Sequence, residues 1–151
     1  MPGQSENQTI LLPFERLEIS PLLREEMIAQ ARAEAPNECC GLLAGHIHGM
    51  VGRSSARFPI ANDLASPELY LTNAQAMLFA SRAMREQRLE LLAIYHSHPT
   101  SEPVPSALDL ERNTYGHAVV HLIVSLLGAQ PTLRCWWLLD NQSREAQLDI
   151  R

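Results

Sequence analysis

Leu91-Leu92-Ala93-Ile94-Tyr95-His96-Ser97-His98-Pro99 is the stretch on which the reading of this chain turns. The unbroken apolar run from Leu91 to Tyr95 has the length and character of a buried strand, and it leads directly into the two histidines. Side chains alternate along a strand, so His96 and His98 leave the same face of one strand end. Two imidazoles side by side on a rigid element make a start for a zinc site. The chain holds a second such pair, His46-Ile47-His48, so the spacing alone does not single out the first. The residues that follow do. After Pro99 come six residues, Ser106, two more residues and Asp109. A loop of that length can fold the helix start at Ser106 back over the histidines. Asp109 then offers a third, anionic ligand and leaves the fourth zinc position open for water.

Working upstream, Thr72 with Gln75 reads as a capping box for a helix running to about Arg88, and Pro59 to Leu71 reads as loop. Cys39 to Gly45 and Met50 to Phe58 read as a hairpin turning at Gly49. Ser20-Pro21 has the form of an N-cap and first helical residue. Leu23, Met27 and Ala31 recur behind it at four-residue steps, which predicts an amphipathic helix from Pro21 to about Ala35, stopped by Pro36-Asn37. Ile10 to Ile19 reads as a strand. Downstream, Ser106 to Thr114 reads as a short helix, Ala118 to Leu127 and Leu133 to Leu139 as strands, and the tail from Arg144 as an edge strand. Several neighbouring strands are joined by tight turns. The expected fold class is therefore α/β, a single domain over residues 10–150 with a mixed, mostly antiparallel sheet flanked by helices, after a flexible start at residues 1–9.

A hydrolase of this type also needs a base that is not a ligand. Glu38 stands at the junction between the first helix and the apolar run Cys39-Cys40-Gly41-Leu42-Leu43-Ala44-Gly45. A carboxylate there is partly desolvated, which raises its pKa toward the range useful for moving protons.

Glu38 followed by His96-x-His98-x(7)-Ser106-x-x-Asp109 resembles the JAMM (MPN+) zinc metalloprotease motif. The segment Pro36 to Gly45, Asn62-x(3)-Ser66-Pro67-x-x-Tyr70, and Ile94-Tyr95-His96-Ser97-His98-Pro99 resemble further segments of its small bacterial members. The resemblance runs from about Leu17 to Leu139. It implies the MPN/JAMM, cytidine-deaminase-like fold. It also implies a zinc-dependent (iso)peptidase in which His96, His98 and Asp109 hold Zn²⁺, Glu38 is the general base on a zinc-bound water, and Ser106 supports the oxyanion. The partner it implies is a ubiquitin-like protein with a C-terminal Gly-Gly tail, specifically a sulfur carrier cut after that tail. Two alternatives stay open: an isopeptidase removing ubiquitin-like modifiers from lysine, and a scaffold of the same fold that cuts nothing.

Competing readings of the other residues are plainer. Ser106-x-x-Asp109 is also a capping box, and the capping and metal roles are compatible. His46 and His48 beside two glycines read as solvated turn residues, and His117 and His121 as structural histidines sharing one strand face. Cys39, Cys40 and Cys135 lack any Cys-x-x-Cys partner and read as core thiols, which fits a reducing compartment. Of Trp136-Trp137, one ring is expected in the core and one facing outward.

Composition narrows the partners. All 12 basic residues are arginine, so no lysine is available for Schiff-base or P-loop chemistry. A formal charge of −5 argues against nucleic acid or an acidic membrane surface. Met1 to Thr9 lacks the form of a secretory signal, and the longest apolar-rich run, Ala118 to Ala129, is too short to span a bilayer. A cytoplasmic location is the expectation.

Overall fold

The computed structural model describes residues 10–151; the flexible start expected at residues 1–9 lies outside the described residues. Seven strands, β1 (Arg16–Ile19), β2 (Cys40–His48), β3 (Val51–Ile60), β4 (Glu90–His98), β5 (Val120–Ser125), β6 (Thr132–Leu139) and β7 (Gln142–Ile150), close into a barrel in the order β1-β3-β2-β4-β5-β6-β7. Helices α1 (Pro21–Glu34), α2 (Ala74–Glu86) and α3 (Ala107–Glu111) complete the architecture. The three tight connections, β2–β3, β5–β6 and β6–β7, give antiparallel pairs, as does β2 with β4. Both neighbours of β1 are parallel to it, and so is β5 to β4. The mixed, largely antiparallel sheet with helices is thus present, but it is closed. The tail strand β7 joins both neighbours and closes the sheet: Gln142 to Ala146 pair with β6, and Gln147 to Ile150 with β1.

Local sequence explains most element ends. The Ser20 hydroxyl accepts from the Leu23 amide at 3.1 Å, and Pro21 occupies the first turn, where its missing N–H costs nothing. The stripe Leu23, Met27, Ile28 and Ala31 is buried. The cap of α2 is displaced by one residue from the expected Thr72. Asn73 accepts from the Ala76 amide at 2.9 Å, and Thr72 instead bridges to Asn62. The first strand is also shorter than Ile10–Ile19, because Pro13 offers no N–H to a ladder and Phe14 turns inward against the Trp137 ring, 5.0 Å between centroids.

The strands separate two apolar clusters. One, shared with α1, includes Met27, Leu43, Ala93, Tyr95 and Trp137; the other, shared with α2, includes Cys40, Leu42, Ile94, Ala80 and Met84. Alternation along β4 therefore puts His96 and His98 on the Ile94 side, and Ser97 on the Tyr95 side. Gly41 lies under the Tyr95 phenol, where any Cβ would overlap the ring. All three cysteines are free and buried. Among the described residues no helix is long and apolar enough to cross a membrane.

Candidate metal centre

The end of β4 delivers both imidazoles into a buried position, His96 at 1% and His98 at 4% exposure. Their Nε2 atoms are 3.1 Å apart, and Asp109 Oδ2 lies 3.2 Å from one and 3.3 Å from the other. Zinc held at about 2.0–2.1 Å by nitrogen and oxygen in a tetrahedron requires ligand–ligand edges of about 3.3 Å. The triangle of donors has that size, and its chemistry (two neutral imidazoles and one carboxylate) suits a borderline-soft dication. The residues therefore fit a zinc-like ion.

Asp109 is held from behind by the box that the sequence suggested. Ser106 N–H donates to Asp109 Oδ2 at 2.8 Å, and Asp109 N–H donates to Ser106 Oγ at 3.1 Å. The hydroxyl accepts in this contact, which leaves its own proton free to donate elsewhere. Burial works against the Asp109 carboxylate, but its hydrogen bonds with His96 and His98 outweigh that and hold its pKa well below the usual range. For His98 the balance is similar. Burial pulls the imidazole down, while Asp109 and the Glu102 carbonyl more than reverse it, so the net shift is upward. His98 Nδ1 lies 2.8 Å from the Glu102 carbonyl. Only a protonated Nδ1 can use that acceptor, so a neutral His98 ring keeps its Nε2 lone pair for a metal.

Glu38 approaches from the other side. One of its carboxylate oxygens lies within 4.8 Å of donor nitrogens on both His96 and His98. Two triads thus share the histidine pair, and only Asp109 closes to ligand spacing on both. Glu38 is 3% exposed, and its Oε1 has no hydrogen-bond partner among the described residues. Burial pushes its pKa up to about 8; His98 opposes this, and the charges of Asp109 and Glu68 add to it. Its backbone is fixed by two elements. Glu38 N–H donates to the Ser66 carbonyl at 2.8 Å, and the Asn62 amide donates to the Glu38 carbonyl at 3.0 Å. The next residue, Cys39, donates its N–H to Ser97 Oγ at 2.7 Å, while Ser97 N–H returns to the Cys39 carbonyl. The residue between the two histidines therefore locks the Glu38 segment to the histidine-bearing strand.

Several such supports have no signature in local pattern. The strand β3 runs on through Pro59 and Ile60, and Asn62 ties the shorter loop that follows by donating to the Leu69 carbonyl and accepting from Leu71 N–H. That loop places Tyr70 over His96, with centroids 4.7 Å apart and planes inclined by 23°. Asn62, Ser66 and Tyr70 all belong to the quoted segments, but their partners are tertiary. A cavity of about 370 Å³ opens beside Asp109, lined by Tyr70, Leu71, Met77, Leu108, Tyr115 and His121 among others.

Two expectations about bystanders need correction. His117 and His121 do not share a strand face: His117 is exposed in the turn before β5, whereas His121 is on β5 and 3% exposed. Burial, then the charge of His96, push the His121 pKa down to about 4 against the pull of Asp109, so this ring is neutral at pH 7. Trp136 does not face outward either. It packs with Ile123, Leu138, Val104 and Leu110, and its Nε1–H donates to the Pro103 carbonyl at 2.9 Å. The arm between His98 and Asp109 is short of regular structure, and Trp136 is what it rests on. Trp136→Phe, which leaves that buried carbonyl without its donor, is expected to cost about 2 kcal/mol, read as a drop of roughly 5 °C in the calorimetric midpoint. His46 and His48 are both exposed, at the end of β2 rather than within the turn itself.

Residues 21–139 match the family model described as prokaryotic homologs of the JAB domain. The chain is 30% identical over 124 residues to a CysO-cysteine peptidase of Mycobacterium tuberculosis, covering 82% of this chain and 84% of that protein. It is 33% identical over 115 residues to a desampylase of Haloferax volcanii, covering 73% of this chain and 81% of that protein. The solution structure of a Desulfitobacterium hafniense protein superposes with a TM-score of 0.82 at 29% identity, covering 89% of this chain and 92% of that one. With the family model spanning most of its length, the chain belongs to the JAMM/MPN family, among the prokaryotic homologues of the JAB domain.

Proposed function

We propose that this chain is a zinc-dependent metallopeptidase that hydrolyses the bond after the C-terminal Gly-Gly of a ubiquitin-like sulfur-carrier protein. The observation that carries the reading is the close triangle of His96 Nε2, His98 Nε2 and Asp109 Oδ2, with an unpartnered Glu38 carboxylate oxygen beside it. Zinc bound there supplies a Lewis acid that acidifies water and draws charge from the scissile carbonyl. Glu38 takes the proton that the attacking water gives up, and returns it to the departing amine as the carbon–nitrogen bond breaks. The free Ser106 O–H donates to the developing oxyanion, a contact of a kind that accounts for about 3 kcal/mol of transition-state stabilisation in other hydrolases.

The surroundings support a carrier tail as substrate. The cavity beside Asp109 has mostly apolar walls, and a tail ending in two glycines brings no side chain to clash with them. The relatives named CysO-cysteine peptidase and desampylase support a carrier or modifier substrate. The leaving group is read as the α-amine of cysteine. The test is to give the purified, zinc-loaded chain two conjugates of one Gly-Gly-ending carrier, one joined to cysteine and one to a lysine side chain. Release of cysteine is the expected result. Cleavage of the lysine conjugate alone assigns the chain as an isopeptidase, and cleavage of neither leaves only the scaffold role.

A further inference from the structure

The two metal-facing histidines are supported unequally. His98 has its outer nitrogen against the Glu102 carbonyl at 2.8 Å. The outer nitrogen of His96, Nδ1, is buried and has no partner among the described residues. A histidine that holds a metal through Nε2 needs an acceptor for its Nδ1–H, because that bond fixes both tautomer and ring orientation. A second unexplained group lies nearby: both ring nitrogens of His121 are buried without a partner among the described residues.

The register puts these three orphaned nitrogens on one surface. His121 on β5 is level with Ile94 on β4, and His96 with Ile123, in a parallel pairing. Ile94 and His96 are two residues apart on one face of β4, so His121 lies on that same face, one step diagonally from His96. The strand spacing and rise put their Cα atoms about 8 Å apart. The two rings make no direct hydrogen bond, so a link between their nitrogens takes one bridging water. His121 also lines the cavity that Tyr70 and Asp109 line. A buried site with several unsatisfied polar atoms is where an ordered water belongs.

We propose that His121 is a positioning residue for the centre: through one shared water it accepts from His96 Nδ1–H and so holds the Nε2 lone pair toward the metal. One nitrogen of the neutral His121 ring accepts a hydrogen bond from that water, and the other carries the ring's N–H. Tyr70, stacked on His96, fixes the plane of the ring, and the water link fixes its rotation within that plane. The metal-affinity consequence rests on reading His96 as a zinc ligand, whereas the link between the rings does not.

The test has one arm without metal and one with it. In the metal-free, histidine-labelled protein, NMR is expected to show a His96 Nδ1–H proton protected from exchange and cross-relaxing with water. In His121→Leu, which fills the space without polar atoms, that signal is lost while the melting midpoint is kept. In competition with a chromophoric chelator, His121→Leu is expected to bind zinc 10–100-fold more weakly, and His121→Gln, which restores a donor and an acceptor, to recover to within about threefold of the unaltered protein. A purely structural role for His121 would instead lower the midpoint and leave the His96 signal in place. The proposal is overturned if unaltered metal-free protein shows no protected His96 Nδ1–H, or if the signal or the zinc affinity survives His121→Leu. An unaltered protein that shows the signal but binds no zinc would remove the zinc reading and leave the His96–His121 link standing.

Discussion

Glu38→Gln is expected to lower turnover by about 10³–10⁴-fold while zinc content stays at about one ion per chain. The amide has nearly the shape of the carboxylate, so packing and the ligand triangle are undisturbed, but it cannot accept a proton. Equal loss in kcat and kcat/KM would mark an interaction made only in the transition state. Retained activity would remove Glu38 from the mechanism. The same variant reports on the buried carboxylate itself. In the metal-free protein Glu38 has a pKa of about 8, against an ordinary 4.5. Between those values the unfolded chain has released the proton while the folded chain still holds it, so folding stability falls as pH rises through that window. The glutamine variant carries no such penalty. Its metal-free form should melt with the unaltered protein near pH 4.5 and above it near pH 8, by an amount on the order of 3 kcal/mol. Once a dication is bound, its charge lowers the Glu38 pKa, and the advantage of glutamine should shrink accordingly.

Asp109→Ala is expected to abolish zinc retention, with affinity down by more than the 10–100-fold that supporting residues command. It removes the anionic member of the triangle and the acceptor for Ser106 N–H together. Asp109→Asn keeps an acceptor for that amide and should recover helix α3 without recovering the metal; zinc content and activity decide. The linkage signs can be checked on metal-free protein. The depressed Asp109 pKa contributes stability that is present above about 3.8, its ordinary value, and is lost as pH falls toward the folded value. The raised His98 pKa contributes stability that is fully present below 6.5 and is lost as pH rises through the folded value. The advantage of unaltered protein over Asp109→Asn should therefore be largest between about pH 4 and 6.5 and narrow above it. Zinc binding follows the opposite course, strengthening with pH as His98 gives up its proton.

The cluster of His96, His98 and Asp109 was legible in the chain because its information is local. Period-two alternation is enough to put His96 and His98 on one face, and the Ser106–Asp109 spacing encodes a cap that a five-residue helix can form alone. Ser20-Pro21 and the Leu23-Met27-Ala31 stripe encode α1 in the same way. Glu38 was singled out chiefly through its resemblance to a known motif, since it lies 58 positions before His96 and no local pattern links them. Where local pattern was stretched further, it failed for a physical reason. Thr72 and Asn73 are both competent caps, and the bridge of Thr72 to Asn62 decides between them. Trp136 lies on the side of its strand opposite Trp137, which reads as solvent-facing until the Pro103 arm folds over it.

Side-chain period, capping chemistry and chain stiffness over a few residues encode the strand-borne histidine pair, the acidic cap downstream of it, the first helix and the mixed sheet. Packing of the whole chain is what closes the sheet through β1 and β7, brings Glu38 beside the two histidines through Ser97 and Asn62, and puts His121 diagonally from His96 with its nitrogens unpartnered among the described residues. Those relations depend on register between strands far apart in the chain. Register is chosen by the total burial and hydrogen bonding of the closed fold, to which no single stretch of residues has access.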